Sequence, residues 1–101
     1  MRLQFSSLAL KDLDAIFFHI NNTLHNPTAA RNTITAIIHT SVRLSDFPRL
    51  GAIIKLVNSS NSEVHYIISG SYLIAYVVKS THIEIVRILY ARSDYIKLLD
   101  A

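Results

Sequence analysis

Apolar residues near the start of the chain recur at steps of three and four, the spacing of one face of an α-helix. This stripe consists of Leu13, Ile16, Phe17, Ile20 and Leu24. Ser6 or Ser7 can cap the helix, because a serine side-chain oxygen accepts a backbone N–H left free in the first turn. The pattern predicts a helix over residues 7–24, preceded by a short strand over residues 2–5.

A second apolar stripe follows Asn26 and Pro27, a pair that favours a helix start because Asn caps and Pro suits the first helical position. Its members are Ala30, Ile34, Ile37, Ile38 and Val42. The segment is also rich in β-branched residues, which favour strands, but the helical spacing is continuous and no turn signal interrupts it. We predict a helix ending near Ser45, because Phe47 precedes Pro48 and is pushed out of the helical region. The short break between the stripes implies an antiparallel helical hairpin.

The second half of the chain consists of short apolar runs between polar turns, a pattern typical of strands. Four strands and a C-terminal helix capped by Ser93 are predicted, over residues 52–57, 64–68, 72–78, 83–90 and 94–99. Short turns make neighbouring strands antiparallel. The predicted fold class is α+β, with an N-terminal strand and a helical hairpin packed on an antiparallel β-meander sheet, and a short C-terminal helix.

The hairpin and the sheet should bury their apolar faces against each other. We predict a seam formed by Leu13, Ile16, Phe17, Ile20, Ile34, Ile37, Ile38, Leu73 and Ile85. Tyr72 and Tyr76 lie four residues apart on the central strand and therefore share one face, as core or groove lining.

Composition restricts the class of protein. The 101 residues suffice for one hydrophobic core, so we expect a single domain over residues 1–101. The absence of cysteine excludes disulfides and zinc–thiolate sites. The N-terminus lacks the pattern of a signal peptide, and the longest apolar run is far shorter than the roughly 20 residues of a membrane span. We therefore expect a cytoplasmic protein with no membrane contact, whose net charge of +3 favours an acidic partner.

Five histidines are present, but none has the spacing of helix-borne metal ligands and no carboxylate completes a set, so neither a metal nor a cofactor is expected. The cluster with possible catalytic content is His65, Tyr66, Arg87, Tyr90 and Arg92. A His or Tyr there could act as general base and an Arg could hold a phosphate. Alternatively, the tyrosines are sheet aromatics and Arg87 pairs with a carboxylate. Strand alternation puts Arg87 on the face of Ile85 and Leu89, opposite Ile88 and Tyr90, which argues against a joint active site.

Five segments, in this order along nearly the whole chain, resemble the RelE/ParE family of toxins from type II toxin–antitoxin systems. They are residues 5–13 (FSSLALKDL), 26–31 (NPTAAR), 47–51 (FPRLG), 70–76 (GSYLIAY) and 85–95 (IVRILYARSDY). The resemblance implies a toxin that inhibits growth and stabilises plasmids, is neutralised by a cognate antitoxin, and forms a toxin–antitoxin hetero-oligomer with it.

The two branches of the family differ at two positions. The RelE branch cleaves messenger RNA on the ribosome and typically has an Arg after the aromatic residue that opens the central strand; the matching residue here is Leu73. A second Arg typically lies in the tail, where Ser93 stands, beside Arg92. Leucine can neither hold phosphate nor transfer protons, so the resemblance favours the ParE branch, which binds and poisons DNA gyrase. A ribosome-dependent mRNA endoribonuclease remains the alternative, with His65, Arg87, Tyr90 and Arg92 as its catalytic candidates, and an inactive member is a third.

A small domain with this excess of Ile and Leu should leave an apolar groove exposed, and such patches mark partner sites. In the family, that groove receives the tail of the antitoxin. We expect it between the helical hairpin and the sheet, with partner contacts at Phe17, Ile20, Tyr72, Tyr76, Arg87 and Arg92.

Overall fold

A computed structural model of the chain describes residues 1–54 and 63–100. Its elements are β1 (Arg2–Phe5), α1 (Ser7–Phe18), a π-helical segment (His19–Thr23), α2 (Pro27–Asp46), β2 (Ala52–Ile54), β3 (Val64–Ser69), β4 (Tyr72–Val78), β5 (His82–Tyr90) and α3 (Tyr95–Asp100). The predicted α+β fold is confirmed. The last part of the first predicted meander strand, residues 55–57, lies outside the described residues.

The sheet has five strands in the order β1-β5-β4-β3-β2. Strands β2 to β5 form the predicted antiparallel meander. Strand β1 pairs parallel with β5, so the sheet is mixed. A parallel pair needs a long crossover connection, and here the hairpin and the meander together supply it.

Polar side chains begin both long helices. The Ser6 hydroxyl accepts the Ala9 N–H at 3.0 Å and donates to the Val86 carbonyl at 2.8 Å, which ties the start of α1 to β5. The Asn26 side-chain oxygen accepts the Ala29 N–H at 3.0 Å. Helix α2 forms despite its β-branched residues, because the cap, the Pro at its first position and a buried stripe all favour it.

The first helix departs from the prediction at its C-terminal end. Regular α-helix stops at Phe18, and a π-helical segment follows in which the Leu24 N–H donates to the His19 carbonyl at 3.0 Å. The wider turn rotates the chain, so Leu24 is 58% exposed instead of continuing the apolar stripe. Ile20 remains buried.

Two apolar clusters cover the two faces of the sheet. The larger one, between hairpin and sheet, contains Ala9, Ile16, Ile20, Ala30, Ile37, Leu44, Ile74, Tyr76, Ile83, Ile85 and Ile88. The second cluster, on the other face, contains Ile54, Val64, Leu73 and Ala75, with Tyr95 and Leu99 of α3 packed against it.

The predicted seam is confirmed for Ile16, Ile20, Ile37 and Ile85, with Leu13 and Ile34 packed partly buried against the larger cluster. The placement of Leu73 in that seam is wrong, because Leu73 belongs to the second cluster. Phe17 and Ile38 are 38% and 39% exposed and lie at its margin.

A bulge in β5 changes which face its residues present. Tyr76 pairs with Ile85 and Ala75 pairs with Arg87, so Val86 is an extra residue between them. Consequently Ile85 and Ile88 enter the same cluster, contrary to strict alternation. The predicted cap of α3 is one residue too early: the helix begins at Tyr95, so Asp94 occupies the cap position, and the Ser93 hydroxyl donates to the Tyr90 carbonyl at 2.6 Å.

Candidate functional site

The catalytic candidates His65 and Tyr90 occupy different ends of the sheet. On β3, His65 pairs with Tyr76 of β4, and on β5, Tyr90 pairs with Tyr72 of β4. The two pairing positions are separated by four residues of one strand, roughly 13 Å. A base and its partner must both reach one scissile phosphate, and this separation does not bring the two side chains together.

His65 is held in a packed position. Its ring stacks on Tyr76 with ring centroids 5.3 Å apart. Its Nε2 lies 3.9 Å from the Glu63 carboxylate, and its buried Nδ1 has no hydrogen-bond partner among the described residues. The imidazole therefore serves as part of the packing around Tyr76.

Arg87 is engaged in an ion pair with Asp12 of α1. Its Nε and Nη2 donate to the two carboxylate oxygens at 2.8 and 3.0 Å, and the Ile88 N–H donates to the same carboxylate at 2.9 Å. The hydrogen bond to Asp12 raises the pKa of Arg87 above its usual value. One carboxylate thus connects α1 to the bulged part of β5. This agrees with the non-catalytic interpretation in the sequence analysis, in which Arg87 pairs with a carboxylate.

Tyr72 and Tyr90 form an edge-to-face pair with ring centroids 6.1 Å apart. Tyr90 is 47% exposed, whereas Tyr72 is partly buried against the larger cluster. Burial, and secondarily the neighbouring Tyr90, raise the pKa of the Tyr72 phenol above its usual value. Arg92 is exposed in the turn just beyond Tyr90.

Leu73 is 1% exposed within the second cluster. Its neighbours there are apolar, and α3 places Tyr95 and Leu99 against them. The position at which the RelE branch carries an Arg is therefore occupied by an aliphatic side chain in a packed apolar layer.

An open groove runs along the outer side of the helical hairpin, between α1 and α2. It has a volume of about 410 Å³ and is lined by Leu10, Leu13, Asp14, Phe17 and Ile34. Phe17, a predicted partner residue, lines this outer groove. Ile20 and Tyr76, also predicted, lie in the core beneath the helices. The sequence analysis did not single out Leu10 and Asp14, although the steps from Leu10 to Leu13 and Phe17 continue one helical face.

The described ranges contain no helix long and apolar enough to cross a membrane. Within the same ranges, no three His, Asp or Glu side chains stand together as a group that could hold a metal ion.

Comparison with known proteins identifies the family. The family model described as "ParE toxin of type II toxin-antitoxin system, parDE" matches residues 3–95. The chain belongs to the ParE toxin family. A solved structure described as "Chromosomal ParDE TA system from P. aeruginosa" is similar to this ParE-family toxin, with a TM-score of 0.74 and 26% sequence identity over 91% of this chain and 97% of that chain. No curated protein matches the chain. The resemblance inferred from the sequence is thereby confirmed.

Proposed function

We propose that this ParE-family toxin inhibits growth by binding and poisoning DNA gyrase, and that a cognate antitoxin neutralises it. The observation that carries the choice of target is the apolar layer around Leu73, on the sheet face covered by α3. Phosphate cleavage requires cationic groups that meet the developing charge, and the side chains packed around Leu73, aliphatic except for Tyr66 and Tyr95, supply none.

The remaining nuclease candidates also favour a binding toxin over the ribosome-dependent endoribonuclease. The Arg87 guanidinium is already paired with the Asp12 carboxylate. The hydroxyl of Ser93 is bonded to the Tyr90 carbonyl, and His65 packs on Tyr76, away from Tyr90. Of these candidates, Arg92 and the 47% exposed Tyr90 remain on the surface, so the Tyr90 phenol would have to be the general base of a nuclease.

The outer groove of the hairpin is the surface that we propose for the antitoxin. It is open, apolar and built on two rigid helices, which suits the apolar face of an amphipathic segment. Phe17 lines this groove, with Ile20 in the core beneath the helices. The net charge of +3 favours an acidic partner, although the charged residue among those lining the groove is Asp14, and Arg92 lies elsewhere, beyond Tyr90.

The gyrase proposal is tested with the purified chain in a supercoiling and DNA-cleavage assay. Inhibited supercoiling and accumulated cleaved DNA, with translated messages intact in expressing cells, support it. Position-specific cuts in translated messages together with unaffected supercoiling would establish the endoribonuclease instead.

The antitoxin surface is tested with two leucines of nearly equal exposure on α1, Leu10 at 52% and Leu8 at 53%. Leu10 lines the groove and Leu8 does not. Leu10→Asp should weaken co-purification with the co-expressed antitoxin, because it buries a charge on binding, and Leu8→Asp should leave it unchanged. Equal effects of the two substitutions would remove the groove from the proposal.

A further inference from the structure

A second cavity lies at the other side of α2, against the turn between β3 and β4. It has a volume of about 320 Å³, near the lower end of the range for ligand pockets. We call it the polar recess, and its hydrogen-bonding side chains are Asn32, Thr33, Ser69, Ser71 and Tyr72. Tyr72 packs toward the helical hairpin, so the recess is on the sheet face opposite Leu73.

The polar side chains of the recess are not hydrogen-bonded to the part of the chain that the structure describes. Among the described residues, none of the five makes a side-chain hydrogen bond, and Ser69 is nevertheless only 9% exposed. Ser69 is the buried member of this set, whereas Asn32 and Ser71 are exposed and Thr33 and Tyr72 are half-buried. Because buried polar groups are normally hydrogen-bonded, the Ser69 hydroxyl in this cavity is open to a partner from outside the chain.

The lining also specifies the chemistry of the ligand. Among the described residues, no charged side chain lines the recess, so the bound group should be uncharged. One amide and four hydroxyls can each donate and accept, which matches the mixed donors and acceptors on the edge of a nucleobase; Asn reads such an edge with two hydrogen bonds and Ser or Thr with one.

An aromatic wall adds to this match. Tyr72 lines the recess and contacts Tyr90, whose half-exposed ring offers a stacking surface beside it. Gly70 forms the outer turn with a φ of 58°, and nothing lies within 4 Å of the place where a Cβ would stand, so this side is open.

We propose that the polar recess binds a nucleobase, with Asn32 contacting the edge of the base and the Tyr72–Tyr90 pair forming its aromatic wall. This inference goes beyond the gyrase proposal and does not depend on it, because free nucleosides test it without gyrase, ribosome or antitoxin.

The experiment is an NMR titration of the full ¹⁵N-labelled chain with adenosine, guanosine, cytidine and thymidine, each alone. We expect saturable shifts of the backbone amides of Asn32 and of residues 69–72 with at least one nucleoside. Asn32→Ala should weaken that binding roughly five- to a hundredfold, the loss expected for a two-bond contact with a base. Asn22→Ala, an exposed Asn outside the recess, is the matched control and should leave binding unchanged.

Two outcomes would overturn the proposal. One is the absence of shifts at these amides with all four nucleosides. The other is a response to acetamide without a response to any nucleoside, which would identify the recess as a site for a carboxamide side chain of a protein partner. Asn32 is exposed and makes no side-chain hydrogen bond among the described residues, so its substitution should leave the fold intact.

Discussion

At the scale of single residues, two side chains join parts of the chain that are far apart in sequence. The Tyr76 hydroxyl donates to the Pro48 carbonyl and accepts the Gly51 N–H, both at 2.9 Å, which fixes the loop between α2 and β2. A Cβ at Gly51 would stand 2.7 Å from that hydroxyl and closer still to the Tyr66 carbonyl oxygen, so the loop tolerates only glycine there. Asp12 makes the second connection, to β5.

Replacing Asp12 should destabilise the fold without touching a proposed binding surface. In Asp12→Asn, the partly buried Arg87 loses its counter-charge, and a lost hydrogen bond to a charged group costs about 1.5–3 kcal/mol. Urea unfolding measures the change in the free energy of unfolding. Asp14→Asn, an exposed carboxylate two residues on, should change it by less than about 0.5 kcal/mol. Similar losses in both variants would show that the pair contributes nothing specific.

Tyr76 should make the fold sensitive to alkali. Burial raises the pKa of its phenol above the unfolded value of 10.0, while the bond from Gly51 opposes that rise. Since the unfolded chain loses this proton first, the stabilisation is complete below about pH 10 and is lost as the pH rises through the folded pKa. Urea unfolding at about pH 8 and about pH 11 should show the decline, and Tyr76→Phe should make it shallower.

Tyr76→Phe should also lower the free energy of unfolding at neutral pH. Tyr76→Phe leaves a backbone N–H and a carbonyl without their partner, a loss of about 1–3 kcal/mol. The control is Tyr95→Phe, because the Tyr95 hydroxyl makes no hydrogen bond among the described residues. An unchanged alkaline slope in Tyr76→Phe would assign the decline to other groups, Tyr72 first among them, since burial also raises its pKa.

At the scale of elements, short sequence patterns predicted where individual helices and strands begin and end. The cap and Pro at the start of α2 and the uninterrupted apolar run of β4 placed those elements at their observed positions. The face of Leu73 was mispredicted, because a strand buried on both sides carries no alternation that tells which face meets the helices. The π-helical segment was not predicted, because Ile20 and Leu24 are four residues apart, a spacing that also fits one face of a regular α-helix.

The pairing of β1 and the outer groove depend on contacts between distant segments. The parallel register of β1 with β5 joins residues about eighty positions apart, and neither strand alone indicates it. Likewise, the periodicity identified Phe17 as apolar helix surface, but only the packing of α1 against α2 decides that its ring lines an open groove.

This packing changes the expected effect of truncating Phe17. A fully buried Phe would cost about 3–5 kcal/mol on replacement by Ala, but the 38% exposed ring should cost about 1–2 kcal/mol, since only part of its surface leaves water on folding. Ile37→Ala, at a fully buried position on α2, should cost about 2–5 kcal/mol. Denaturant unfolding of both variants measures the difference. A larger loss for Phe17→Ala than for Ile37→Ala would contradict this assignment of core and groove.

At the scale of the whole molecule, the sheet separates two surfaces with different properties. One face carries the hairpin, with the apolar groove on its outer side and the polar recess at its edge. The other face carries an apolar layer closed by α3. Family membership follows from the match over residues 3–95. The cellular target depends on which of these surfaces contacts it. Substituting the residues that a nuclease would need can distinguish the two candidate targets.

The double substitution His65→Ala, Arg92→Ala provides that test in cells expressing the toxin without its antitoxin. Removing one well-placed transition-state donor typically lowers a rate a hundred- to a thousandfold, so an endoribonuclease using either residue would lose its toxicity. A gyrase-directed toxin should retain it, and primer extension should show uncut messages for both proteins. Because His65 stacks on Tyr76, the single variant Arg92→Ala, exposed and outside the core, separates a loss of fold from a loss of function. Message cuts that vanish in both variants would reverse the choice of target.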